Sequence, residues 1–367
     1  MRSRLILLSV LLSGLLLVTA GCTSPVSSDE NDTPESAALE SEYAEDKKEE
    51  AQLTPEDSGK VQVNPKVSSV SSDTATIPVT LYYQDKDGCI VPVTRQVAKQ
   101  EGIARAAVNG LIDSPINREE LEYYGLYPVL PMGTEILGIS IKEGVATIDF
   151  NDKFLGYESG IAERNVVSSV VYTLTEFKTV NAVRIVINGD VREKLKYDTD
   201  ISDILSRDNV MINCETLNLG EGQKKADVYV FKTIKESFVY IVPYSKEYSA
   251  AADESLPGRI IDFLGEKPDA ENTYSEIPSE AYLLDSNVKN GVLTLYFDGA
   301  LTGYGGQSRE DGILKQILYS MKQIDGVGKL RILVDGKTPD LPEGTDVSKE
   351  IVIPGEINAV MDKQGGV

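Results

Sequence analysis

Histidine and tryptophan do not occur among the 367 residues of this chain, and cysteine occurs three times. Without histidine there can be no Ser-His-Asp or Cys-His nucleophilic system, no imidazole metal ligand and no use of the commonest general base. Cys89 and Cys214 alone cannot close a tetrahedral zinc site. Positive charge is also scarce: 36 Lys and Arg stand against 58 Asp and Glu, a net charge of −22. Nucleic-acid binding needs a basic footprint, and none is visible. Electrostatic adhesion to anionic lipid is disfavoured for the same reason. Phosphate-binding glycine motifs do not occur in a usable context. No stretch approaches the ~20 apolar residues of a spanning helix.

One apolar run does stand out, from Leu5 to Val18, preceded by Arg2 and Arg4 and followed by Thr19-Ala20-Gly21-Cys22. Positive start, short apolar centre and small residues predict a secretory signal over residues 1–21. Small residues directly before Cys22 resemble a bacterial lipobox, with Thr19 where Leu is usual. Cys22 is therefore expected to carry a lipid, which would be the only attachment to a bilayer. Residues 22–75 are rich in Ser, Glu, Asp and Ala and almost free of aromatics. Such a composition predicts a disordered acidic tether, spanning ~40 Å as a coil.

Beyond the tether the chain contains itself twice. The run Ile141 to Phe150 (IKEGVATIDF) returns as Val288 to Phe297 (VKNGVLTLYF). At the same separation Tyr157 matches Tyr304, Tyr172 matches Tyr319, and Asn188-Gly189 matches Asp335-Gly336. A constant offset over so many residues indicates a duplicated domain. Chemistry essential to both copies should therefore appear in both.

Each copy reads β-β-α-β-β-α-β. In the first, Thr76 to Asp85 and Ile90 to Val97 alternate as strands around the turn Asp85-Lys86-Asp87-Gly88. A short helix follows with Ile103, Ala107, Val108 and Leu111 on one face, and Pro115 is expected to end it. The stretch from Asn117 to Thr134 reads as irregular. A second hairpin turns at Glu143-Gly144. A long helix from about Ala162 to Phe177 carries the stripe Val166, Val167, Val170, Val171, Leu174 and Phe177. A strand from Ala182 to Ile187 closes the copy. The second copy fills the same stripe with Ile313, Leu314, Ile317, Leu318, Met321 and Ile324, and its first helix is expected over Ser249 to Leu264. Hairpins with helices returning over one face make an α+β fold, here two tandem two-layer sandwich modules, 76–200 and 226–340. A tail, 341–367, follows, in which Glu350 to Pro354 is a candidate edge strand.

Paired carboxylates are the only enzymatic option left open. Glu163 and Glu310 match across the copies at the start of the long helix, where an acid also complements the helix dipole. No second matched acid makes a glycosidase pair. Cys89 and Cys214 can either form a disulfide or stay as free thiols. The clusters Tyr82-Tyr83 and Tyr123-Tyr124-Tyr127 suit either half-buried packing or contact with protein or glycan.

Three segments of the first copy, LYYQDKDGCIVPVTRQV, GLYPVLPMGTEILGISIKEGVATIDFNDKF and VVYTLTEFKTVNAVRIVING, resemble the GerM family of bacterial spore proteins. The resemblance is strong over 76–200 and weaker over 226–340. It implies modules similar to ring-building folds and a non-enzymatic, lipid-anchored assembly role in spore formation and germination. Implied partners are envelope proteins bridging the mother-cell and forespore membranes, on the extracytoplasmic side of the cell membrane. It implies no cofactor, metal or catalytic residue; only Cys22 carries over. Peptidoglycan binding is the alternative, and oligomer formation is left open.

Overall fold

The computed structural model describes residues 75–249, 255–266 and 268–359. The signal segment, Cys22 and the tether up to residue 74 lie outside the described residues. In the first copy β1 (Thr76–Asp85) and β2 (Ile90–Ala98) form the expected hairpin, followed by α1 (Ile103–Asn109). The stretch expected to be irregular instead begins with a second helix, α2 (Pro115–Glu122). Pro115 starts this helix; it does not merely end the one before. At the first helical position its missing N–H would have no intrahelical partner anyway. The Ser114 hydroxyl caps the turn by accepting the Asn117 N–H at 3.2 Å.

Two-residue β3 (Leu126–Tyr127) then pairs with β1, giving a three-stranded sheet in the order β2-β1-β3. The second sheet contains β4 (Ile136–Lys142), β5 (Val145–Phe150) and, after α3 (Gly160–Leu174), β6 (Ala182–Ile187). Short β7 (Asp190–Val191) and β8 (Leu205–Ser206) both pair with β6. β5 and β6 run parallel, as a helical crossover between them requires.

The second copy repeats this plan. β9 (Gln223–Ile234) and β10 (Phe238–Ser249) pair with each other, and β11 (Thr273–Tyr274) adds to β9. Between them α4 occupies Leu256–Gly265. It is shorter than the helix expected over Ser249 to Leu264, because β10 continues to Ser249 and Ser255 is the cap, accepting the Gly258 N–H at 3.2 Å. Pro257 again stands in the first turn. β12 (Leu283–Lys289), β13 (Val292–Phe297), α5 (Gln307–Met321), β14 (Lys329–Val334) and β15 (Ile351–Val352) complete the copy. β13 and β14 are parallel, and β15 is the edge strand within Glu350 to Pro354.

The two-residue turns are alike in both copies for one physical reason. Glu143-Gly144 and Asn290-Gly291 place both residues at positive φ, at 51° and 81°, and 53° and 76°. A primed turn of that kind matches the twist of the flanking strands. The stripe residues Val166, Val167, Val170, Val171 and Leu174 of α3 are buried, as are Ile313, Ile317, Leu318 and Met321 of α5. Each helix also pins the neighbouring strand: Thr173 Oγ1 accepts the Tyr82 N–H at 3.2 Å, and the equivalent Ser320 Oγ accepts the Tyr229 N–H at 2.9 Å. These bonds satisfy N–H groups on the side of β1 and β9 that the two-residue strands β3 and β11 leave uncovered.

The described residues of both copies fall within one compact unit, so the two copies pack together.

Candidate interaction surface and the junction between the copies

The matched acids are consumed by the fold. Glu163 and Glu310 are both 0% exposed. The Glu163 carboxylate accepts the backbone N–H groups of Tyr197 and Thr199 at 2.7 and 3.0 Å. Glu310 accepts those of Glu343 and Thr345 at 2.8 and 3.0 Å, and the Tyr304 hydroxyl at 3.0 Å. Burial opposes ionisation of Glu310, but the hydrogen bonds from Thr345, Glu343 and Tyr304 outweigh it and hold its carboxyl below the usual range. Each acid therefore fastens a loop that follows the last long strand, β6 or β14, of its own copy. The loops repeat as well: Thr199-Asp200-Ile201-Ser202 returns as Thr345-Asp346-Val347-Ser348. Asp200 and Asp346 each accept the N–H two residues on, at 2.9 Å.

A second pair of residues after each module joins the copies. Asn213 accepts the Ile90 N–H at 2.6 Å and donates to the Ile90 carbonyl and the Pro243 carbonyl, both at 2.8 Å. Asn358 does the reverse. It accepts the Ile241 N–H at 3.0 Å and donates to the Ile241 and Pro92 carbonyls at 2.7 and 2.8 Å. Ile90-Val91-Pro92 and Ile241-Val242-Pro243 are equivalent stretches of β2 and β10. Both strands are sheet edges carrying a proline, so they cannot extend a normal ladder to each other. The two carboxamides supply the missing donors and acceptors, one from each direction. Both asparagines take positive φ, 52° and 47°, a conformation Asn tolerates better than most residues. The preceding isoleucines add matched bonds: Ser245 N–H to the Ile212 carbonyl at 3.0 Å, and Thr94 N–H to the Ile357 carbonyl at 2.9 Å.

Charge also crosses this junction. Glu176 meets Arg207 at 2.7 Å and Lys322 at 3.2 Å, and accepts the Tyr82 hydroxyl at 2.9 Å. Burial raises the Glu176 pKa, but Arg207 and then Lys322 outweigh it, bringing it down to about 2. The Tyr172 hydroxyl donates to Asp227 at 2.7 Å, and Lys225 reaches both. The tyrosines singled out in the sequence are mostly structural. Tyr82 and Tyr83 are fully buried. Tyr123 and Tyr124 pack edge-on against Phe238 of the second copy. Cys89 and Cys214 are free thiols. Burial pushes the Cys89 thiol up to about 12, with the Tyr244 hydroxyl 3.3 Å away. The Asp85 to Gly88 segment is a capped turn, its Asp85 carboxylate accepting the N–H groups of Asp87 and Cys89 at 2.9 Å.

One outward-facing apolar feature is duplicated. On β4, Leu137 is 50% and Ile141 42% exposed; on β12 their equivalents Leu284 and Val288 are 65% and 50% exposed. Both strands are sheet edges and both carry an irregularity at the same place, between Ile136 and Gly138 and between Leu283 and Asp285. Bulges blunt an edge against uncontrolled pairing while leaving its side chains available. Among the described residues no group of three or more His, Cys, Asp and Glu could hold a metal, and no helix is long and apolar enough to cross a membrane.

Comparison with known proteins agrees with this architecture. The chain is 26% identical over 308 residues to the spore germination protein GerM of Bacillus subtilis (strain 168), covering 80% of this chain and 83% of that one. The solved tandem GerMN domains of the sporulation protein GerM from Bacillus subtilis superpose with a TM-score of 0.68 at 26% identity, covering 77% of this chain and all of theirs. The model of the Germane family, sporulation and spore germination, matches residues 80–193 and again 227–340, and on that double match the chain belongs to this family.

Proposed function

We propose that this chain is a non-enzymatic assembly module of spore formation and germination, lipid-anchored through Cys22 on the extracytoplasmic face of the cell membrane. The carrying observation is the duplicated apolar edge, Leu137 with Ile141 and Leu284 with Val288. Exposed apolar residues scattered singly need no explanation, but two matched sets on two equivalent edges are a repeated feature. The acids that could have served a hydrolase are tied to backbone N–H groups instead. Family membership and the likeness to GerM support the sporulation setting. The partners on this reading are envelope proteins between mother cell and forespore, met through the sheet edges.

The test is affinity capture of the full chain from sporulating cells. Recovery of envelope proteins by the native chain, and their loss with Leu137→Asp and Leu284→Asp together, supports the reading. Capture unaffected by both changes removes it. Sedimentation with purified cell wall separates the alternative, peptidoglycan binding, from contact with protein.

A further inference from the structure

The second copy contains a cavity lined by residues that differ in size from their counterparts in the first copy. It measures about 270 Å³ and is walled by Val228, Val230, Tyr244 and Phe263, with Cys214 at one side and Lys246 and Glu266 toward solvent. Strand pairing fixes which residues are equivalent. Tyr83 opposes Val91, Leu81 opposes Val93 and Val79 opposes Arg95 in the first hairpin. Val230 opposes Val242, Val228 opposes Tyr244 and Ala226 opposes Lys246 in the second. Along the first strand every one of the three positions has shrunk: Tyr to Val, Leu to Val and Val to Ala.

The helix above it changes in the opposite sense. Ala107, Val108 and Leu111 are fully buried in the first copy, as are Ile260, Ile261 and Leu264 in the second. That alignment sets Gly110 against Phe263. A Cβ on Gly110 would come within 2.7 Å of Leu81, so the first copy closes helix onto strand through a glycine. In the second copy a phenyl ring stands at that place, opposite a valine. Large residues on the helix and small ones on the strand hold a space open, where large strand residues and a glycine shut it.

We propose that this cavity is a binding site for a small aromatic ring. Apolar cavities of ~150 Å³ take a benzene molecule, so this one has room for a substituted or fused ring. Phe263 and Tyr244 offer ring faces and edges for tilted contact. Lys246, 3.8 Å from Glu266, places a cation where a polar substituent on the ring would emerge. In the first copy the Tyr83 ring occupies the equivalent position and its hydroxyl meets Arg95, the counterpart of Lys246, at 3.4 Å. The guest thus takes the place of a side chain that the other copy supplies itself.

Indole is a suitable probe, because the chain has no tryptophan and the emission of bound indole is read without that background. Titration into the full chain carrying Cys22→Ser should give a saturable blue shift. Val230→Tyr, which restores the side chain of the first copy, should weaken it about tenfold or more with the fold unchanged. Indole should also slow alkylation of Cys214, and this second measurement decides the matter if the Val230→Tyr chain does not fold. A titration with a short peptide bearing one tryptophan between glycines distinguishes a free ring from a ring on a partner's side chain: binding of indole alone indicates a free compound. No saturable shift with either probe, or an equal shift with Val230→Tyr, overturns the proposal.

Discussion

Lys232 Nζ lies 3.5 Å from Asp85 Oδ2, and the two residues occupy the same position in the two copies of the duplicated sequence. Both are buried. One position has thus diverged to opposite charges that meet across the junction, something a single domain could not have used. Removing Lys232 leaves the Asp85 carboxylate buried with two backbone N–H groups but no counter-charge, and breaking a buried pair costs ~3–5 kcal/mol. Lys232→Met should lower stability by about that much in chemical denaturation. Asp85→Asn combined with Lys232→Met should recover part of the loss, since Asn keeps the acceptor that caps the turn.

Asn358→Ala should loosen the junction from its C-terminal side. Three hydrogen bonds disappear and the Ile241 N–H and the Pro92 and Ile241 carbonyls lose their partners. Stranded buried groups of that kind cost ~1–3 kcal/mol each. Hydrogen exchange should show faster exchange at the Ile241 and Thr94 amides, while amides in β13 and β14 stay protected.

Acid should weaken the molecule through Glu176. Its folded pKa, about 2, lies below the ordinary 4.5, so the stability it contributes is present above 4.5 and is lost as pH falls toward 2. The contribution is on the order of 3 kcal/mol. Glu176→Gln should be less stable than the native chain at neutral pH, and its stability should fall less steeply over that acid range. Parallel acid limbs for the two chains would show that the ion cluster does not carry the effect.

Glu163→Gln and Glu310→Gln should each lower the melting temperature and free the loops 193–201 and 340–347. On a contact-based role the same variants keep partner capture at temperatures where they remain folded. Loss of capture with an intact fold would assign these acids a direct part.

Cys22→Ala should leave an exported chain that partitions with the soluble fraction or is poorly processed. Retention in the membrane fraction after signal cleavage would contradict lipid anchoring.

The repeat, the two hairpins of each copy and the long helices were legible because their signals are local: alternation, a turn residue at positive φ, an apolar stripe. α2 was hidden because Pro115 reads equally as a helix end and a helix start, and only the Ser114 cap distinguishes them. The helix expected from Ser249 begins only at Leu256, because Ser249 belongs to β10 and the cap that starts the helix is Ser255, which reads no differently from the other small polar residues before it. The roles of Glu163 and Glu310 depend on loops more than thirty residues away in sequence, which no spacing rule reaches. The clasp of Asn213 and Asn358 had a visible signal, the recurrence of Ile-Asn after each module, but it lay beyond the bounds set for the copies.

Partner capture from sporulating cells by the full chain with and without Leu137→Asp and Leu284→Asp bears most directly on the claim that the duplicated edges are where the molecule acts. Loss of envelope partners with unchanged melting temperature and unchanged membrane attachment is the expected result. Undiminished capture by the doubly changed chain would contradict it.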